Sequence, residues 1–176
     1  MNRFVFKFQQ LDRRIFKWIN GRLHNRFFNF LLFYLTHLGG ATFTIGISVL
    51  TWLLAPEPWK TAGAIAAVAL AISHIPVAIA KKLYPRSRPY LALPETNTFR
   101  NPLTDHSFPS GHTTAAFAVA VTFMSATSGM MLVILLLLCI TVGFSRIYLG
   151  LHYPSDVIAG AVIGSSVAGA AVALWI

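Results

Sequence analysis

Residues 130–156 have the sequence MMLVILLLLCITVGFSRIYLGLHYPSD, in which a long apolar run ends in an arginine, a histidine and an aspartate. A second apolar run, from Val157 to Ile176, follows at once. A segment that only crosses a bilayer avoids ionisable side chains, because a charge inside the hydrocarbon layer is costly. Arg146, His152 and Asp156 therefore predict a functional site at the ends of two membrane helices.

The rest of the chain has the same apolar character. Of the 176 residues, 56% are hydrophobic and only 11% are charged, which excludes an ordinary soluble fold. Further apolar runs at Trp59–Ala80 and Gly111–Ala126 approach the ~20 residues that a helix needs to cross a bilayer. Because backbone groups in lipid must be satisfied within the segment, these runs are expected to be helices. The composition predicts an all-α, multi-pass protein of the cell membrane.

The segment from Phe27 to Ala55 has two interpretations. It forms either one bent span or two short helices divided at Thr36–Gly40, where paired glycines favour a break. Two helices are the preferred interpretation and give a six-helix bundle. Seven of the 14 basic residues precede residue 27, so the positive-inside rule places the N-terminus in the cytoplasm. Three crossings then place the loop after Lys82 on the extracytoplasmic face, whereas one undivided span would place it inside.

The first 22 residues are predicted to form an interfacial helix ahead of a membrane-embedded domain at residues 23–176. One face carries apolar residues at helical spacing, and the other carries a cationic cluster: Phe4, Phe8, Leu11, Ile15 and Trp18 against Lys7, Arg13, Arg14 and Lys17. This pattern suits the headgroup boundary of an anionic leaflet. The alternative is a solvated helix packed on the protein's own surface.

Basic residues also gather in a second region. The loop at residues 83–110 and the helix end before it contain five of them, Lys81, Lys82, Arg86, Arg88 and Arg100. The formal charge of +9 does not indicate a nucleic-acid partner, because no aromatic-interleaved patch or recognised binding module accompanies it. A long loop rich in proline and aromatic residues predicts a fixed active-site loop.

Small residues dominate the last apolar run. Gly160 and Gly164 allow a neighbouring helix to approach closely. Packing within the bundle is the preferred interpretation, and a homodimer through these glycines is the alternative.

Two clusters besides Ser145–Asp156 lie at helix ends. In the sequence Pro109–His112, Ser110 is a suitable N-cap and Gly111 lets a ligand approach the backbone. Amide donors and the helix dipole would then form an anion site at the start of a helix. His112, in the first turn, is suited to protonate a departing alkoxide near neutral pH.

The remaining charged residues fit the same phosphate chemistry. Pro154 is expected in the first turn of the last helix, which lets His152 meet Asp156 one turn later. A carboxylate that accepts the proton of one ring nitrogen leaves the other nitrogen free as a nucleophile. Lys81, Arg88 and Arg146 would hold the phosphoryl oxygens.

Three motifs together resemble a known family. Lysine, six residues and Arg-Pro (Lys81–Pro89), Pro-Ser-Gly-His (Pro109–His112), and Ser-Arg, five residues, His, three residues and Asp (Ser145–Asp156) are similar to the signature of the type 2 phosphatidic acid phosphatases, or lipid phosphate phosphatases. This family shares its core with vanadium-dependent haloperoxidases. The compact chain suggests a bacterial member.

The resemblance implies a role for each residue. His152 would form a phosphohistidine, Asp156 would be its partner and His112 the general acid. Phosphate would be bound by the remaining motif residues, Lys81, Arg88, Ser110, Gly111 and Arg146. No cofactor or divalent metal is expected, since the one carboxylate of the constellation is committed to His152 and leaves no magnesium site.

The family implies three candidate substrates, phosphatidylglycerol phosphate, undecaprenyl diphosphate and phosphatidic acid, which the motifs do not distinguish. Two alternatives come from other classes of protein. A transporter would be expected to carry charges near the bilayer midplane, whereas these lie at helix ends. A catalytically silent lipid-binding scaffold would have no use for two histidines and an aspartate. An interfacial ion network that merely closes the bundle would not need three separate clusters.

Overall fold

The computed structural model describes residues 3–98 and 104–175, and within them all side chains except those of Phe4 and Val5. The side chain of Phe4 on the predicted apolar face and the predicted contribution of Arg100 to the loop therefore lie outside what the structure describes. The described chain is helical and contains no strand, which confirms the all-α prediction.

The described residues form eight α-helices in chain order. They are α1 (Arg3–Lys17, continued by a π-turn at Trp18–Arg22), α2 (Arg26–Leu35, continued by a 3₁₀ turn at Thr36–Gly39), α3 (Ala41–Leu54), α4 (Trp59–Leu83), α5 (Pro89–Ala92), α6 (Gly111–Met124), α7 (Met130–Tyr148) and α8 (Pro154–Trp175).

The helix ends near the predicted motifs have local causes. Ser110 caps α6 by accepting a hydrogen bond from the backbone N–H of Thr113 at 3.4 Å. Pro154 opens α8, as its fixed backbone angle and missing donor favour. Asn25 caps α2, its Oδ1 accepting from the N–H of Phe28 at 2.9 Å. The helix starts predicted at Ser110 and Pro154 thus agree with the structure.

Three helices, α4, α7 and α8, are each long and apolar enough to cross a membrane. The pair α2 and α3 passes the same test only when taken together, with a bend of 52° at the break. Helix α6 is apolar but shorter. It nevertheless runs from the site end of the bundle to the opposite end, where Phe123 packs against the Trp59 ring at the start of α4.

Helix α8 packs against α6 through its small residues. A Cβ atom added to Gly160 would lie 2.6 Å from the carbonyl oxygen of Ser110, and one added to Gly164 would collide with the carbonyl oxygen of Thr114. Both glycines are buried inside the bundle. The homodimer through Gly160 and Gly164 is therefore not supported, because α6 already occupies that face.

The first helix lies at the same end of the bundle as the three sequence motifs. Asp12 accepts a hydrogen bond from the backbone N–H of Ser155 at 2.9 Å, at the start of α8. Asn20 donates to the carbonyl oxygen of Tyr148 at 2.7 Å, at the end of α7. The turn after α2 still contacts the end of α7, so the chain leaves this end of the bundle through α3 and returns through α4.

This arrangement differs from the expected six-helix bundle with the N-terminus opposite the loop. The ten residues of α2 span only about 15 Å at 1.5 Å per residue, which is too short for a separate crossing. Helices α2 and α3 pass the test for a membrane span only as one bent pair, so the described residues do not confirm the six-helix count.

Cysteine labelling tests this crossing count. In a Cys139→Ala background, which removes the buried native thiol, single cysteines would be placed at Gln10 on α1, at Thr104 in the loop and at Ser128 between α6 and α7. All three positions are exposed. We expect Gln10→Cys and Thr104→Cys to react with an impermeant maleimide from one side and Ser128→Cys from the other. Labelling of Gln10→Cys and Thr104→Cys from opposite sides would restore the six-crossing bundle.

Candidate active site

The turn between α7 and α8 positions the first cluster. Arg146 lies in the last turn of α7, His152 in the connecting turn and Asp156 in the first turn of α8. Gly150 adopts a φ of 76°, a conformation that glycine tolerates and that lets the turn close. The backbone N–H of His152 then donates to the carbonyl oxygen of Arg146 at 3.1 Å. All three ionisable side chains are almost fully buried.

The His152 ring is held by a residue that the sequence did not indicate. Its Nδ1 lies 2.7 Å from the carbonyl oxygen of Ser107 and 3.8 Å from Oδ2 of Asp156. A carbonyl oxygen can only accept, so Nδ1 carries the proton and Nε2 keeps its lone pair. The direct His152–Asp156 hydrogen bond expected from the sequence is replaced by a contact through Ser107, whose hydroxyl donates to Oδ2 of Asp156.

The Asp156 carboxylate is surrounded by donors. Besides the Ser107 hydroxyl, Oδ2 accepts from the backbone N–H of Tyr153 at 2.8 Å. Oδ1 accepts from Nη1 of Arg86 at 2.7 Å. Complete burial lowers the pKa of the His152 imidazole to about 4, against the opposing effect of Asp156, so the ring is neutral near pH 7.

Two of the predicted phosphate-binding cations share one carboxylate. Asp105 pairs with Lys81 and also accepts from Nη2 of Arg88 at 2.5 Å. Burial raises the pKa of Asp105, but its hydrogen bonds to Lys81 and Arg88 outweigh burial and lower that pKa to about 2. Arg88 itself is buried, and its Nη1 lies 3.0 Å from Nε2 of His152. A guanidinium therefore faces the lone pair of the ring.

Arg146 has unused donor capacity. Its Nη1 donates to the Thr36 hydroxyl at 3.0 Å, which is the only hydrogen bond of this guanidinium within residues 3–98 and 104–175. Nε and Nη2 are buried and without a partner in this part of the chain. A buried guanidinium with two unpaired donors is costly unless an anion binds it.

The Pro109–His112 cluster adjoins the same site. The backbone N–H of Ser110 donates to the carbonyl oxygen of Asp156 at 3.0 Å, which joins the start of α6 to the start of α8. Arg88, Arg146 and His152 are close enough to act electrostatically on His112. Gly111 has open space around its Cα, as an anion site at a helix start requires.

A cavity of about 370 Å³ begins at His112 and extends between α3, α4 and α6. Most of its lining is apolar, and it includes Ile45, Val49, Ala67, Leu70 and Ala115. His74 lines the same cavity and bonds within its own helix, its Nδ1 lying 2.9 Å from the Leu70 carbonyl oxygen. The cavity can therefore hold an apolar chain next to His112.

The structure thus brings all three predicted clusters together at one end of the bundle. It also adds five residues that the motifs did not indicate: Asp12, Thr36, Arg86, Asp105 and Ser107. The scarcity of acidic residues could have indicated Asp12 and Asp105. The chain has only five acidic residues, and Asp12, Asp105 and Asp156 are three of them.

Comparisons with known proteins identify the family of this chain. Residues 62–175 match the family model described as the PAP2 superfamily. The bacitracin transport permease protein BcrC of Bacillus licheniformis is 30% identical over 162 residues, which cover 89% of this chain and 77% of that protein. The undecaprenyl-diphosphatase BcrC of Bacillus subtilis (strain 168) is 31% identical over 160 residues, covering 87% and 78%.

A solved structure shows the same fold. The crystal structure of Aquifex aeolicus LpxE superimposes with a TM-score of 0.81 at 25% identity, over 93% of this chain and 95% of that chain.

An apolar helical bundle with cations and histidines clustered at one end is the arrangement that a membrane-embedded lipid phosphatase requires. The family model covers most of the chain and includes all three motifs. The chain belongs to the PAP2 superfamily, which confirms the resemblance drawn from the motifs.

Proposed function

We propose that this protein hydrolyses a lipid phosphate monoester or diphosphate, without a metal ion, through a phosphohistidine intermediate. The observation that carries the proposal is the buried Arg146 guanidinium, whose Nε and Nη2 lack partners in the described residues. A phosphoryl group supplies two oxygens in the geometry that an arginine fork prefers. The cations Lys81, Arg88 and Arg146 supply positive charge that a metal would otherwise provide.

Phosphoryl transfer begins at His152. Its Nε2 lone pair attacks phosphorus, the bond from phosphorus to the leaving oxygen breaks, and His112 gives that oxygen a proton. Lys81, Arg88, Arg146 and the Ser110–Gly111 helix start hold the equatorial oxygens during transfer.

Hydrolysis of the phosphoenzyme completes the cycle. His112, now neutral, removes a proton from water as the water oxygen attacks phosphorus. The P–N bond breaks, neutral His152 is restored and inorganic phosphate leaves. Asp156 stabilises the cationic ring from 3.8 Å, and the Ser107 carbonyl keeps Nδ1 protonated throughout.

The apolar cavity beside His112 supports a lipid as the leaving group. A general acid must lie next to the leaving oxygen, so the tail attached to that oxygen would extend into this cavity. The Bacillus subtilis relative, an undecaprenyl-diphosphatase, makes undecaprenyl diphosphate the first substrate to examine. Phosphatidylglycerol phosphate and phosphatidic acid remain candidates, because the phosphate site is common to all three.

A transporter or a catalytically silent scaffold is the alternative function. The permease name of the Bacillus licheniformis relative corresponds to the transporter. The buried His152 ring carries its proton on Nδ1, so that Nε2 is unprotonated. This arrangement favours a nucleophilic role and therefore an enzyme. Neither alternative gives a reason for that arrangement.

Phosphate release in the presence of chelator tests the proposed function. Purified protein would be given each of the three lipids in mixed micelles with excess EDTA. We expect release of inorganic phosphate from at least one lipid, with a rate within about twofold of that without chelator, because positioned cations supply the transition-state charge. Loss of activity with EDTA and its recovery with magnesium would contradict the metal-independent mechanism. Binding without release for all three lipids would favour the scaffold.

The membrane placement of the chain forms a separate proposal, with residues 1–22 as an interfacial helix and residues 23–176 as the phosphatase domain. Most basic residues outside residues 99–103 lie at the site end, and the positive-inside rule alone would place that end in the cytoplasm. A phosphate site accounts for the basic residues of the loop, and an anionic leaflet accounts for those of α1. We therefore retain the extracytoplasmic face, and the side from which Thr104→Cys is labelled decides it.

A further inference from the structure

We propose that Asp12, on the N-terminal helix, is a positioning residue of the active site that holds catalytic Asp156 in place through Arg86. This inference rests on the proposed function and goes beyond the three motifs, because neither Asp12 nor Arg86 is one of their defining residues.

Asp12 is buried on the inner side of an otherwise cationic helix. Asp12 is only 5% exposed. Oδ1 accepts from the backbone N–H of Ser155 at 2.9 Å, and Oδ2 accepts from the Ser155 hydroxyl at 2.6 Å. Nη2 of Arg86 also donates to Oδ2 at 2.6 Å. A buried carboxylate of this kind is stable only when donors and a cation surround it.

Arg86 connects this carboxylate to the catalytic one. Its Nη1 donates to Oδ1 of Asp156 at 2.7 Å and to the Ser155 hydroxyl at 2.7 Å. The guanidinium carbon lies 3.9 Å from the centre of the Tyr153 ring, which limits movement on one side. The Arg86 guanidinium is thus shared between two carboxylates. Its Nη2 donates to Asp12 and its Nη1 donates to Asp156.

The sharing of Arg86 matters for the charge on Asp156. With Asp12 present, Arg86 donates one terminal nitrogen to each carboxylate. The negative charge of Asp156 is then only partly neutralised by Arg86 and can act on His152. Without the Asp12 charge, Arg86 is free to form a two-pronged pair with Asp156. That pair would weaken the stabilisation of the cationic His152 ring during phosphoryl transfer and would rotate the carboxylate away from its Ser107 and Tyr153 donors. The expected defect is in the chemical step rather than in binding, because neither Asp12 nor Arg86 is among the residues proposed to bind phosphate.

Asp12→Asn tests the inference, since it keeps the size and much of the hydrogen bonding of Asp12 but removes its charge. We expect kcat to fall about 10- to 30-fold with KM within about twofold of wild type, as for loss of an interaction that acts in the transition state. Arg14→Gln is the matched control, because it changes one charge on the exposed side of the same helix. It should leave kcat unchanged.

Single-turnover phosphoenzyme formation separates positioning from misfolding. A misfolded fraction lowers the burst amplitude, whereas a displaced Asp156 lowers the rate constant at normal amplitude. We expect the second result for Asp12→Asn. A lower amplitude with a normal rate constant, or a rise in KM alone, would overturn the inference.

A double-mutant cycle tests whether Asp12 acts through Arg86. If it does, adding Asp12→Asn to Arg86→Gln should change kcat by less than about twofold further. Additive losses would overturn the connection. The proposed function fails separately if His152→Ala retains turnover, a result that no outcome at Asp12 can produce.

Discussion

His152→Ala is expected to abolish both phosphoenzyme formation and turnover, with a fall in kcat of at least about 10⁴-fold, because the attacking atom itself is removed. The variant should still fold, since water can fill the vacated space and bond to Arg88 and the Ser107 carbonyl. Trapping with ³²P-labelled lipid followed by acid and alkali treatment measures the result, because phosphohistidine is labile to acid and stable to alkali.

His112→Ala is the matched variant for this experiment. It removes the proposed acid but leaves the nucleophile, so a substrate with a good leaving group should still phosphorylate His152. Natural lipid alcohols leave poorly without a proton and should react about 10²- to 10⁴-fold more slowly. Equal loss of phosphoenzyme in both variants, whatever the leaving group, would contradict the assignment of roles.

Arg146→Lys is expected to reduce kcat/KM about 10²- to 10³-fold although the charge is retained. The structure leaves Nε and Nη2 of Arg146 unpaired, so two oxygens of the transferring group can be held by one planar side chain. Lysine offers one point charge and cannot reproduce this geometry. Inhibition by orthovanadate, which adopts the five-coordinate shape of the transition state, should weaken in parallel.

Thr36→Val provides the control for the arginine variant. It removes the one hydrogen bond that the Arg146 guanidinium makes in the described chain but leaves the two donors that are proposed to bind phosphate. We expect a loss of about 10-fold or less, since the guanidinium is also confined by burial. Unchanged vanadate inhibition in Arg146→Lys would show that Arg146 does not bind the phosphoryl group.

The positions of the three clusters could be predicted because their information is local. Ser110 and Pro154 mark helix starts by properties of single residues, and a residue one turn after His152 must be near it. The partners of Asp156 could not be predicted in this way. Ser107 and Arg86 come from the long loop, and their approach to Asp156 depends on how α4, α6 and α8 pack.

The number of membrane crossings is harder to predict from the sequence. Paired glycines at Gly39 and Gly40 predict a break, and the structure has one there. The sequence does not distinguish a bend within one span from a turn between two. The distinction comes from α1, because Asp12 is fixed beside Ser155 by contacts between residues 143 positions apart. If Asp12 and Ser155 lie on one side of the membrane, an even number of crossings separates them.

The salt bridges of Asp105 have a consequence for how the enzyme would turn over. Since Asp105 already balances Lys81 and Arg88, an incoming phosphate does not enter an empty cationic site but exchanges with an anion that remains tethered nearby. The same carboxylate can return when the P–N bond has been hydrolysed and compete with the inorganic phosphate for both cations. The site would then combine strong stabilisation of a transient phosphoryl group with weak retention of the product, so that release of phosphate need not limit the rate.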